Sequence, residues 1–137
     1  MSVISELIRK GDNETLSFGN FELDSKTKQD GFEFNGDIYK IKTFKEITKL
    51  EKNGMFVYES VPGTAVHEFK ATDKGIEFNV EGLADSQITL ELEASKEYKI
   101  MINGIDAGTM KTNLGGKFNL SVELNQGETS SINVEKL

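Results

Sequence analysis

The chain has 137 residues, enough for one ordinary domain or two very small ones, and its 36% hydrophobic and 28% charged residues suit a folded rather than a disordered chain. A net charge of −7 repels phosphate backbones and anionic lipid surfaces; the most basic stretch, Lys40 to Lys52, is broken by Glu46 and Glu51, so neither nucleic acid nor membrane partners are expected. The absence of cysteine excludes disulfides, thiolate nucleophiles and thiolate metal sites, and leaves stability to packing.

At the N-terminus Val3, Ile4, Leu7 and Ile8 recur at helical spacing, with Ser2 available as N-cap and Gly11 placed to end the turn, so the spacing predicts a short amphipathic helix lying on the core. The same residues lack the continuous apolar core of a signal peptide, and no run approaches a membrane span. As written the chain is expected in the cytoplasm, or outside the cell if a leader has been removed.

From Leu16 the period changes to two. Leu16 and Phe18, then Phe21 and Leu23 beyond Gly19-Asn20, predict a strand with a bend, and Asp24 to Gly31 read as a polar loop. Phe32 and Phe34, the pair Asn35-Gly36 and then Ile38 to Ile41 predict a hairpin on a type I′ turn, whose two central residues need positive φ. Residues 43–52 fit two descriptions. Thr43 and Glu46 have capping-box spacing with Phe44, Ile47 and Leu50 on one helical face, yet Asn53-Gly54 followed by Met55 to Tyr58 suits another hairpin, which is preferred.

The one proline, in Val61-Pro62-Gly63-Thr64, marks a boundary between a helix-plus-hairpin portion, 1–61, and a β-sandwich, 62–137; a single compact domain is the alternative. Beyond it apolar residues alternate strictly with polar ones over Ile76 to Val80, Ile88 to Leu92 and Phe118 to Val122, the mark of antiparallel sheets stacked face to face. A two-residue turn at Asn103-Gly104 would pair Ile102 with Ile105, Ile100 with Ala107 and Tyr98 with Thr109. With Ile132 and Val134 closing the sheet, about seven strands follow Ala65. The fold class is therefore mainly β, an antiparallel sandwich with a short N-terminal helix.

Leu92 to Ile100, with Leu92 six residues before Tyr98, resembles the corner of fibronectin type III and related immunoglobulin-like sandwiches, where the ring packs inward and the hydroxyl reaches back to the backbone. The run also resembles the small accessory sandwiches attached to bacterial polysaccharide-degrading enzymes. The resemblance covers at most residues 65–137. It implies an immunoglobulin-like sandwich and carbohydrate binding, and it brings no site residue with it, because such sandwiches share no one site.

No catalytic constellation stands out. His67 is the sole histidine, too few for a histidine zinc site, with no cysteine or nucleophile elbow beside it, and is expected on a strand or loop surface. Gly115-Gly116-Lys117-Phe118 lacks the loop length and helix of a phosphate-binding motif and reads as a turn. Carboxylates such as Glu77, Glu91 and Glu93 fall at outward strand positions. Asp12, Asn13 and Glu14, with Asp24 and Asp30, could supply oxygen ligands to calcium if their loops converged. Tyr39, Phe56 and Tyr58 could form a flat aromatic platform for a sugar, although core positions explain most aromatics here more simply. No cofactor is expected. The function expected is a non-catalytic binding or assembly module for a protein or glycan, with homo-oligomers possible through sheet edges. Carbohydrate binding is the alternative, and a hydrolase using a carboxylate pair stands third.

Overall fold

The computed structural model describes residues 3–137, and every regular element in them is a strand. In chain order these are β1 (Ile8–Lys10), β2 (Leu16–Phe18), β3 (Thr27–Phe34), β4 (Asp37–Phe44), β5 (Ile47–Lys52), β6 (Met55–Val61) and β7 (Ala65–Thr72). There follow β8 (Gly75–Glu81), β9 (Ser86–Glu91), β10 (Glu97–Ile102), β11 (Ile105–Lys111), β12 (Lys117–Val122) and β13 (Ser130–Lys136). They form two antiparallel sheets, one of seven strands in the order β1-β2-β7-β8-β13-β10-β11 and one of six in the order β12-β9-β6-β5-β4-β3. Two antiparallel sheets fit the expected β-sandwich class. Both sheets draw strands from either side of Pro62, and one apolar core joins Phe18, Ile41 and Tyr58 to Phe78, Leu90 and Ile132.

The expected N-terminal helix is absent. Residues 5–7 form a turn and bend, with Leu7 at φ 72°, and the chain enters β1 at Ile8. The segment closes a single turn, Leu7 N–H donating to the Ile4 carbonyl (2.9 Å), and is otherwise tied to the loop after β2: Ile4 N–H donates to the Gly19 carbonyl (3.0 Å) and Gly19 N–H to the Leu7 carbonyl (3.0 Å). A helix this short is marginal in water, so pairing with a neighbouring segment wins while Ile4 and Ile8 still become buried. The expected cap, Ser2, lies outside the described residues.

Two other expectations are corrected in detail, over 24–31 and in the β10–β11 hairpin. The expected loop over 24–31 gives way at Thr27 to β3, which carries a bulge between Gln29 and Phe32 around Asp30-Gly31. Residues 43–52 take the preferred of their two descriptions: β4 and β5 join at Lys45-Glu46, and the Asn53-Gly54 turn leads from β5 into β6. In the β10–β11 hairpin Ile102 faces Ile105, but Ile100 faces Gly108 and Tyr98 faces Met110. Ala107 is the extra residue of a bulge made possible by Gly108 at φ 103° and held by a 2.7 Å bond from Gly108 N–H to Asp106 Oδ1. The hairpin expected at Asn35-Gly36 forms as read, with φ of 50° and 82° at its two central residues.

Where the chain passes from one sheet to the other near Pro62, a buried hydroxyl network takes over from apolar packing. Asn20 N–H donates to Thr43 Oγ1 (2.9 Å), which lies 2.8 Å from Thr48 Oγ1. Thr48 Oγ1 donates to the Thr64 carbonyl (2.8 Å) and accepts from Thr64 N–H (3.1 Å). Because Thr48 spends its one proton on that carbonyl, Thr43 must be the donor between the two threonines. Thr64 Oγ1 in turn meets Tyr58 Oη (2.8 Å) and Ser60 Oγ (2.7 Å). Gly19, at φ 102°, sits so close to the Thr64 carbonyl that no Cβ would fit.

Candidate functional site

The aromatic trio does not assemble into a platform. Tyr58 is wholly buried, packed edge-on against Phe18, Phe69 and Phe78, and that burial raises its phenol well above the ordinary tyrosine range although its bonds to Thr64 and Ser60 pull the other way. Tyr39 faces the interior beside Ile41 and meets Phe34 edge-on at 6.1 Å; burial, then the Asp37 charge, raises its phenol too. Phe56 is half-buried, and the Lys117 ammonium lies over its ring at 4.6 Å, so that face is already occupied.

Of the candidate calcium ligands, Asp12 and Asn13 stand on the rim of a depression of about 650 Å³ on the outer face of the seven-stranded sheet, while Glu14 is simply exposed. Lys70, Glu77, Asn79 and Asn133 form the floor and walls. Among the described residues no group of three or more His, Asp or Glu is placed to hold a metal ion. His67 is not on the surface as expected. It is buried on β7, with Nε2 3.8 Å from Oε1 of an equally buried Glu81.

The feature that sequence reading missed is an unmatched strand. At one end the sheets are flush, β1 lying against β3. At the other, the rings of Tyr98 on β10 and Phe118 on β12 stack at 6.4 Å, which sets β10 over β12 and leaves β11, the next strand out, without a counterpart strand in the six-stranded sheet. Every residue of β11 is exposed except half-buried Met110, and Ile105 reaches 71% exposure. On the side of the hairpin continuous with the interior, Met110 and Ile105 stand opposite Tyr98 and Ile102.

Below this overhang runs the free edge of β12. Sheet edges are ordinarily guarded against further pairing by bulges, charges or brevity. β11 and β3 both carry bulges and charges, and β1 is three residues long. β12 is covered at its start, where Lys117 N–H donates to Asn113 Oδ1 (3.0 Å) and its carbonyl accepts from Asn113 N–H (3.1 Å), but beyond Lys117 it has none of these guards: it pairs with β9 through six consecutive residues without irregularity, burying Phe118, Leu120 and Val122 and exposing Asn119 and Ser121. The one sign of this in the sequence was that Ile105 to Lys111 lacks the alternation seen in its neighbours, as a strand covered on neither face should.

No protein-family model, curated protein or solved structure matches the chain. Among the described residues no helix is long and apolar enough to cross a membrane.

Proposed function

We propose that this chain is a non-catalytic binding module that takes an extended segment of a partner protein along β12, beneath the overhang of β11. One observation carries the reading: the seven-stranded sheet projects one strand past its six-stranded counterpart at the very edge that lacks protection. A strand added there would satisfy the main-chain groups of Asn119 and Ser121, which β12 leaves open beyond the Asn113 cover on Lys117, and bury alternate side chains against Ile105 and Met110. A second copy of the chain fits worse. Pairing two β12 edges about an axis normal to the sheet would bring the copy's own covering strand to within one strand spacing, about 4.8 Å, of the line already held by β11.

The test is selection of peptides from a random library on the intact protein. Bound peptides should show apolar residues at every second position and should slow exchange of the β12 amides. Ile105→Lys combined with Met110→Lys, at exposed and half-exposed positions, should leave the fold intact and weaken the peptides by about ten-fold or more, the loss of part of two side-chain burials. Peptides that instead perturb the depression lined by Glu77 and Asn133, or concentration-dependent dimers that protect β12, would overturn the reading.

A further inference from the structure

The outer face of the six-stranded sheet gathers lysines in a chain whose net charge is −7. Lys28 on β3 stands directly opposite Lys42 on β4, and Lys42 directly opposite Lys49 on β5. Directly opposed residues point to the same side, so three ammonium groups form a row across neighbouring strands, spaced by about 4.8 Å. Lys40 lies on the same face two residues before Lys42, and Lys26 immediately precedes β3, with its ammonium 5.9 Å from the centre of the Phe44 ring.

Like charges in direct opposition weaken a sheet, and here little offsets them. Nearby lysines do find acids, Lys45 with Asp24 and Lys52 with Asp37, both at 3.9 Å. Among the described residues none of Lys26, Lys28, Lys40, Lys42 and Lys49 makes such a pair. Glu51 stands across from Lys40, and the row itself reaches an acid only at its fourth strand, as Glu59, before continuing through neutral Thr89 and Asn119. Desolvation first, and then the charges of Lys28, Lys26, Lys49 and Lys40, hold the Lys42 ammonium below the ordinary lysine range. Folding gains nothing from this arrangement that the threonine and asparagine further along the same row do not supply.

We propose that this lysine row binds an anionic polysaccharide, a linear chain bearing carboxylate or sulfate groups. A ligand one strand wide can lie along the three lysines and meets an acid in the row only at Glu59, whereas an anionic bilayer, being planar, also meets the acids that dominate the rest of the surface. Single-stranded nucleic acid would want uncovered rings on which to stack bases; Phe44 and Phe56, the half-buried rings on the outer face of this sheet, lie against lysines. The row and the β12 edge are separate surfaces, so the two readings fail independently.

The experiment measures binding of the full chain to heparin and to alginate, as sulfated and carboxylated probes, with an oligothymidylate and phosphatidylserine vesicles in parallel. Binding to at least one polysaccharide is expected, weakening about 20- to 40-fold between about 50 and 200 mM salt if three charges are neutralised. The triple variant Lys28→Thr/Lys42→Thr/Lys49→Thr should lose about thirty-fold or more while melting no lower than the parent, and Lys70→Thr/Lys74→Thr/Lys99→Thr, on the other sheet, should bind as before. Failure of both polysaccharides at low salt, equal loss in the two triple variants, or binding confined to the oligothymidylate or the vesicles would overturn the proposal.

Discussion

Replacing Thr48 by valine would remove one oxygen atom from the centre of the buried hydroxyl network at almost constant volume. The oxygen takes part in three hydrogen bonds, with Thr43 Oγ1 at 2.8 Å, the Thr64 carbonyl at 2.8 Å and Thr64 N–H at 3.1 Å, in a residue with no exposed surface. Thr43 keeps its bond from Asn20, but its own proton is stranded, and so are the N–H and carbonyl of Thr64. Each buried polar group left without a partner costs about 1–3 kcal/mol, and partial relaxation keeps the three from adding in full, so the expected loss is about 3 kcal/mol. With a urea dependence of about 1.5 kcal/mol per molar, the unfolding midpoint should fall by about 2 M at unchanged slope. The double variant with Thr43→Val should cost clearly less than the two single changes together, because the second substitution removes a group the first has already stranded. A loss below about 1 kcal/mol would mean that water or backbone movement satisfies these groups, and would refute the claim that the network holds the junction at Pro62.

Tyr58 supplies a pH test: its phenol is raised from an ordinary value of 10 by burial, so the folded state prefers it neutral. The stability it contributes is therefore complete below about pH 10 and lost as the pH rises from there, because only the unfolded chain ionises readily; urea midpoints at pH 9, 10 and 11 should converge between the parent and Tyr58→Phe as pH rises. Lys42→Thr should raise stability by a few tenths of a kcal/mol at low salt, read from urea midpoints, with the gain shrinking as salt is added. Residues 62–137 alone should fail to give a dispersed NMR spectrum, because they keep only β9 and β12 of the six-stranded sheet and lose Phe18, Ile41, Leu50 and Tyr58 from the core.

How far the sequence was legible depends on how local the deciding interaction is. The turns at Asn35-Gly36, Asn53-Gly54 and Asn103-Gly104 all form where their φ requirements predict, and the alternation over Ile76–Val80, Ile88–Leu90 and Phe118–Val122 points inward as read. The local geometry at Tyr98 also follows from its surroundings: the ring is buried, and the hydroxyl accepts from Glu93 N–H at 3.2 Å. What failed was decided at a distance. Helical spacing over Val3 to Ile8 was real, but the strand and loop that claimed those backbone groups come later in the chain. The lysine row was hidden by a single residue: counting back from the Asn35-Gly36 turn puts Lys28 opposite inward-facing Thr43, and only the bulge at Asp30-Gly31 moves it opposite Lys42. The seven-to-six mismatch is likewise a property of strand order, which alternation does not encode.

Both proposed surfaces lie where a rule that the rest of the molecule obeys is broken. β3 and β11 show that this chain has the means to close an edge, a bulge with a positive-φ glycine and flanking charges, and β12 has a plain six-residue ladder instead. Elsewhere on the surface lysines are set beside acids, as at Lys99 with Asp106 and Lys136 with Glu93, yet Lys28, Lys42 and Lys49 are aligned with one another. Neither departure is needed for folding, since a proline or bulge in β12 and a threonine at position 42 are compatible with the same sandwich. A fold that is locally consistent almost everywhere makes such exceptions informative, because a surface selected only to stay soluble and monomeric would have lost both.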